Sequence, residues 1–102
     1  MSTQTYSDTS VLEEVKVQPL SLYKVVMLND DTTHMNFVVG VLCDVFHKTA
    51  EEANAIMLNI HNSGTGVAGV YDKEVAYTKQ DESLDLAKMN GFNEFGVVVE
   101  LL

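Results

Sequence analysis

A four-residue segment, Thr49-Ala50-Glu51-Glu52, constrains this chain more than any other. It has the form of a capping box. Thr at the N-cap accepts from the backbone of the third helical residue, and Glu at that position reaches back to the N-cap. A helix must therefore start near residue 50. The apolar stripe before it, Met35, Val38, Val39, Leu42 and Phe46, has helical spacing and belongs to a separate helix. The stripe after it, Ala53, Ile56, Met57 and Ile60, continues to His61 at its far end. Two helices therefore stand in tandem.

The flanks have a different pattern. Leu22 to Leu28 is rich in β-branched and aromatic residues and reads as a strand. Asn29 to Thr33 ends it with side chains that favour turns and caps. After the tandem helices, Asn62-Ser63-Gly64-Thr65-Gly66 acts as a stop, and Val67 to Tyr71 reads as a short second strand. Asp72 can cap a third helix over roughly 73–90, with Gly91 behind it. Gly96 to Leu102 closes the chain as a strand. No fixed-period repeat is present. The order βααβαβ predicts a small α+β domain, with three helices covering one face of a three-stranded, mainly antiparallel sheet. Residues 1–18 are Ser/Thr-rich and then weakly patterned, ahead of the only proline, Pro19. They are expected to be a flexible arm, with the domain at 19–102.

Charge narrows the function classes. Six Lys and no Arg face fifteen Asp plus Glu, a formal charge of −9 in 102 residues. Such a surface repels phosphate backbones and anionic membranes, so neither nucleic acid nor membrane is an expected partner. The single cysteine, Cys43, has no internal disulfide partner, and no secretory or membrane-spanning stretch is legible. A reduced, cytoplasmic domain is expected. At this length a shallow recognition site is easier to build than a deep enzyme cleft.

Three sets of residues bear on chemistry. His34, His47 and His61 lack metal-ligand spacing; the first two lie nearly 20 Å apart at about 1.5 Å per helical residue. Cys43 sits beside Leu42 on a face expected to be buried, where Cys behaves as a small hydrophobe. The third set is Asn29-Asp30-Asp31 with His61. Each has a plainer role available: Asp30 or Asp31 as a turn former or cap, His61 as the polar end of a helix. Together they offer an amide carbonyl, carboxylates and a neutral imidazole, all hydrogen-bond acceptors. That grouping suits a cation with several N–H donors, such as an ammonium. The methionines around it, Met27, Met35 and Met57, adapt to varied apolar shapes, although their spacing also fits plain core.

These segments carry a family resemblance. Tyr23-Lys24-Val25-Val26-Met27-Leu28-Asn29-Asp30-Asp31-Thr32-Thr33-His34-Met35-Asn36-Phe37-Val38 resembles the signature of the ClpS adaptor family. Met57-Leu58-Asn59-Ile60-His61 resembles its second signature. Val67 to Tyr71, Glu74-Val75-Ala76 and Lys79 extend the match over residues 20–101. The family's βααβαβ fold agrees with the element order read above.

The resemblance implies a non-enzymatic, monomeric adaptor without cofactor or metal. It implies binding of proteins that begin with Leu, Phe, Tyr or Trp, the N-degrons of the bacterial N-end rule. It also implies delivery to the N-terminal domain of the AAA+ unfoldase ClpA, or ClpC, for degradation by ClpP. By resemblance, Asn29, Asp31 and His61 would hold the free α-amino group, with Asp30 second to them. Met27, Thr33, Met35, Val38, Met57 and Phe95 would line the pocket for the first side chain, Met35 as the gate against β-branched residues. Glu74 and Lys79 match unfoldase-docking positions; solvated helix charges are the plainer role. The sequence departs from the pattern at His34, where the family commonly has Pro, and at Thr32, where an aromatic is common. An alignment with one residue inserted between Gly91 and Glu94 sets Phe95 against an aliphatic pocket residue. Rival readings are a module that docks on the unfoldase without binding N-degrons, and a small Asp/His hydrolase. The second lacks any nucleophile motif.

Overall fold

The computed structural model describes residues 20–102. The arm expected at 1–18 lies outside the described residues. The elements are β1 (Tyr23–Leu28), α1 (Met35–Asp44), α2 (Ala50–Ser63), β2 (Thr65–Tyr71), α3 (Lys73–Met89) and β3 (Gly96–Leu101). The sheet order is β2-β1-β3, with both pairings antiparallel.

β1 is the central strand, so its hydrogen bonds are satisfied on both sides. Its alternation turns Val25 and Met27 inward, where both are fully buried. Val38, Val41 and Leu42 of α1, Ala53 and Ile60 of α2, and Ala76 and Ala87 of α3 pack with them into one core. A bulge in β2 leaves Ala68 without a β1 partner, between the pairs Val25↔Gly69 and Val26↔Val67. Ala68 is fully buried. Ala68 lies two residues from Gly66, whose partner Met27 points inward, so strand alternation turns that small side chain into the core.

The capping box forms as expected: Glu52 N–H donates to Thr49 Oγ1 at 3.1 Å, and Thr49 N–H to Glu52 Oε1 at 3.0 Å. Asp72 caps α3 by accepting from Val75 N–H at 2.9 Å. Two side chains stitch α3 to the rest. Gln80 Nε2 donates to the Val97 carbonyl of β3, and Lys79 Nζ to the Val45 carbonyl at the end of α1.

Two boundaries differ from expectation by two residues, the others by one at most. Helix α1 ends at Asp44, and the chain passes through His47 at a φ of 56°, a left-handed conformation without glycine. Strand β2 begins at Thr65, two residues before the expected Val67. Gly64 alone makes the reversal, and pairing with β1 draws Thr65 and Gly66 into the ladder.

Candidate functional site

The end of β1 and the end of α2 meet because of one residue. Gly64 sits at a φ of 91°, its N–H closing α2 on the Ile60 carbonyl. Its own carbonyl accepts from Asn29 N–H at 2.9 Å. That bond ties the last turn of α2, which carries His61, to the residue just beyond β1. Glycine suits the position because it lacks the Cβ that makes left-handed backbone costly.

Beyond Asn29 the chain folds around Asp30. One carboxylate oxygen accepts from Thr32 N–H, Thr33 N–H and Thr32 Oγ1, at 2.8, 2.9 and 2.8 Å. The other accepts from Thr33 Oγ1 at 2.6 Å. Burial pushes the Asp30 carboxyl up, but these hydrogen bonds from Thr33 and Thr32 outweigh it and hold it below its ordinary value. Asp30 is therefore committed to building the loop. Asp31, beside it, is exposed, as are Asn29 and His61.

Two spaces with shared walls lie here. One is a polar mouth of about 190 Å³ lined by Asn29, Asp30, Asp31, Thr33, Met35 and His61. The other is a recess of about 20 Å³ that lacks Asp31 and adds Leu28, Val38, Met57, Ile60 and Phe95. Room of that size holds about one water. An acceptor-rich mouth beside a recess with apolar residues in its wall is chemically suited to an ammonium with an apolar substituent.

Nine residues named from the sequence thus come together: Asn29, Asp30, Asp31, Thr33, Met35, Val38, Met57, His61 and Phe95. Met27 is placed elsewhere. It is fully buried in the core and is not among the lining residues, because strand alternation points it inward beneath the helices. Leu28 and Ile60 line the recess and were not singled out from the sequence. Ile60 carried a signal, its place between Met57 and His61 on one helical stripe.

The two docking candidates are also separated. Glu74 is exposed in the first turn of α3. Lys79 is partly buried, with its ammonium 2.7 Å from the Val45 carbonyl and 5.9 Å from the centre of the Tyr71 ring. Five residues on a helix turn the side chain by about 140°, so the two do not share a face. Among the described residues no group of three or more His, Cys, Asp or Glu could hold a metal, and no helix is long and apolar enough to cross a membrane.

Comparison with known proteins agrees with the fold. The family model described as ATP-dependent Clp protease adaptor protein ClpS matches residues 18–99. An ATP-dependent Clp protease adapter protein ClpS of Campylobacter jejuni is 43% identical over 84 residues, covering 82% of this chain and 88% of its own. One from Burkholderia mallei is 49% identical over 86 residues, covering 82% and 83%. The solved structure of Agrobacterium tumefaciens ClpS2 bound to L-phenylalaninamide superposes with a TM-score of 0.78 at 36% identity, covering 82% of this chain and all of that one. With its antiparallel βααβαβ core and most of its length matched, the chain belongs to the ClpS family of Clp protease adaptor proteins.

Proposed function

We propose that this chain is a cytoplasmic, monomeric adaptor that binds proteins through an unblocked N-terminal Leu, Phe, Tyr or Trp. It passes them to the AAA+ unfoldase ClpA, or ClpC, for degradation by ClpP. The observation that supports this reading is the shared lining of mouth and recess. Asn29, Asp30, Thr33, Met35 and His61 border both, so one ligand can place an amine in the mouth and its side chain in the recess.

A free α-amine has a pKa of about 7.7–8 and is largely cationic at neutral pH. Its three N–H donors need three acceptors once water leaves. Asn29, Asp31 and His61 supply them; Asp30, already saturated by threonines, holds the loop that presents them. An internal peptide amide has neither the charge nor the donors. L-phenylalaninamide, the ligand of the Agrobacterium relative, combines a free α-amine with an apolar ring. Glu74, exposed on α3, is the docking candidate for the unfoldase, whereas Lys79 acts by tying α3 to the end of α1.

The test is a binding titration with peptides that differ only at the first residue, beside an N-acetylated control. Leu- and Phe-initiated peptides with free amines bind, and acetylation abolishes binding. Equal affinity for free and acetylated peptides rejects the reading and favours a module that only docks on the unfoldase. Met35→Ala admits Ile- and Val-initiated peptides, because the added volume no longer meets the gate, a cost of about 1–3 kcal/mol in a stiff pocket. Unchanged selectivity removes that role from Met35.

A further inference from the structure

The wall of the recess has a yielding side and a fixed side. Met35 is 45% exposed and Met57 is partly exposed; both are unbranched thioethers that change rotamer readily. Phe95, in the same wall, is 5% exposed, and its ring stands edge-on to Phe37 at 5.7 Å. Phe37 in turn lies 4.8 Å from Phe92, and Phe92 meets the ring of His34 at 5.5 Å. Phe37, Phe92 and His34 stand outside the lining of the recess.

The backbone explains why this row of rings is held. Helix α3 ends in a Schellman motif, with Gly91 at a φ of 81°. Gly91 N–H donates to the Lys88 carbonyl and Phe92 N–H to the Ala87 carbonyl. Phe95 N–H then donates to the Phe92 carbonyl at 3.3 Å, so both rings issue from one short turn. Edge-on and tilted ring pairs at these separations are attractive beyond their area.

The recess, at about 20 Å³, is far smaller than the roughly 150 Å³ in which a benzene ring is accommodated. Any first side chain enters by displacing wall atoms. The methionines yield; Phe95 does not. We propose that Phe92, which touches no ligand, is a positioning residue that holds Phe95 as a fixed back wall and biases the site toward a leading leucine over a leading tryptophan. The inference rests on the adaptor reading above and specifies which substrates that site favours.

The experiment is fluorescence anisotropy with the full chain and peptides beginning with Leu, Phe or Trp, plus N-acetyl-Leu. Wild-type protein binds the Leu peptide more tightly than the Trp peptide. Phe95→Leu narrows that ratio by about tenfold, the scale of a small volume change in an apolar pocket. Phe92→Leu moves it the same way by a smaller factor, and Phe92→Tyr, which restores the ring, leaves it at the wild-type value. A general loss of stability lowers all affinities together and does not move the ratio. If circular dichroism shows Phe92→Leu unfolded, Phe92→Met, which fills similar volume without a ring, takes its place and narrows the ratio in the same way. The proposal is overturned by a wild type that prefers Trp, or by a folded Phe95→Leu, Phe92→Leu or Phe92→Met that keeps Leu binding with an unchanged ratio. Equal wild-type binding of free and acetylated Leu peptides is a separate failure. It removes the adaptor reading and this inference with it.

Discussion

Two helices of this molecule end on left-handed glycines, and each end contributes different residues to the candidate site. At the end of α2, Gly64 hands its carbonyl to Asn29 N–H and so sets His61 beside the acceptor loop. At the end of α3, Gly91 directs Phe92 and, through it, Phe95 toward the recess. The first end delivers exposed polar groups and the second a buried ring, though the local device is the same. The difference lies in the segment after each glycine. A strand that must pair with β1 succeeds Gly64; a turn carrying two phenylalanines succeeds Gly91. A helix stop thus becomes part of a site only through the element it aims.

The largest expected effect falls on the polar half. Asp31→Ala and His61→Ala each weaken binding of a free-amine peptide by tens of fold or more, since a hydrogen bond to a charged group contributes about 1.5–3 kcal/mol. Both residues are exposed, so thermal unfolding is nearly unchanged. Wild-type affinity in both variants removes them from the site.

Asp30→Asn separates loop building from ligand binding. Four hydrogen bonds to threonines at about 1 kcal/mol each make a loss of about 2 kcal/mol in stability reasonable at a partly exposed position, with weaker peptide binding besides. The pH dependence has a definite sign. The native carboxyl lies below its ordinary value, so its contribution is complete above that ordinary value. It is lost as pH falls through the native value. Melting curves of wild type and Asp30→Asn therefore converge in acid and separate toward neutral pH. A constant gap assigns the loss to something other than the carboxylate.

Gly64→Ala and Gly91→Ala test the comparison itself. Each forces a Cβ into left-handed backbone, at a cost of about 1–2 kcal/mol. Open space surrounds both positions, so the cost is conformational rather than steric. Gly64→Ala weakens binding of every free-amine peptide, whereas Gly91→Ala shifts preference among first residues. The same pattern of binding loss in both means that the two ends do not serve separate halves.

The smallest effect is a control at the third helix end. His47 occupies left-handed backbone without being glycine, away from the site. His47→Gly removes that penalty and stabilises the domain by up to about 1 kcal/mol, offset in part by chain entropy. Denaturant midpoints rise while peptide binding stays constant.

Much of this was legible in the residues because caps and stops are local. Thr49 with Glu52, Asp72, Gly64 and Gly91 each act within a few residues, so helix limits could be read without knowing the fold. The inward stripe of β1 was legible only as a strand. Whether Met27 lined a pocket or filled the core depended on which face the helices covered. Asp30 and Asp31 are chemically identical neighbours in sequence. Only the folding of Thr32 and Thr33 back onto Asp30 distinguishes them, leaving Asp31 exposed at the mouth.

Element order, the ends of α2 and α3 and the acceptor-rich character of Asn29, Asp31 and His61 can be read from the residues, because each comes from short-range hydrogen bonding, periodicity or side-chain chemistry. Tertiary packing settles which carboxylate builds the loop, that Lys79 is tied to the end of α1, and that Phe95 is backed by Phe37, which in turn packs on Phe92. The contacts of Lys79 and of Phe95 with Phe37 join residues far apart in the chain. Their partners are set by packing around the central strand, which no local pattern records.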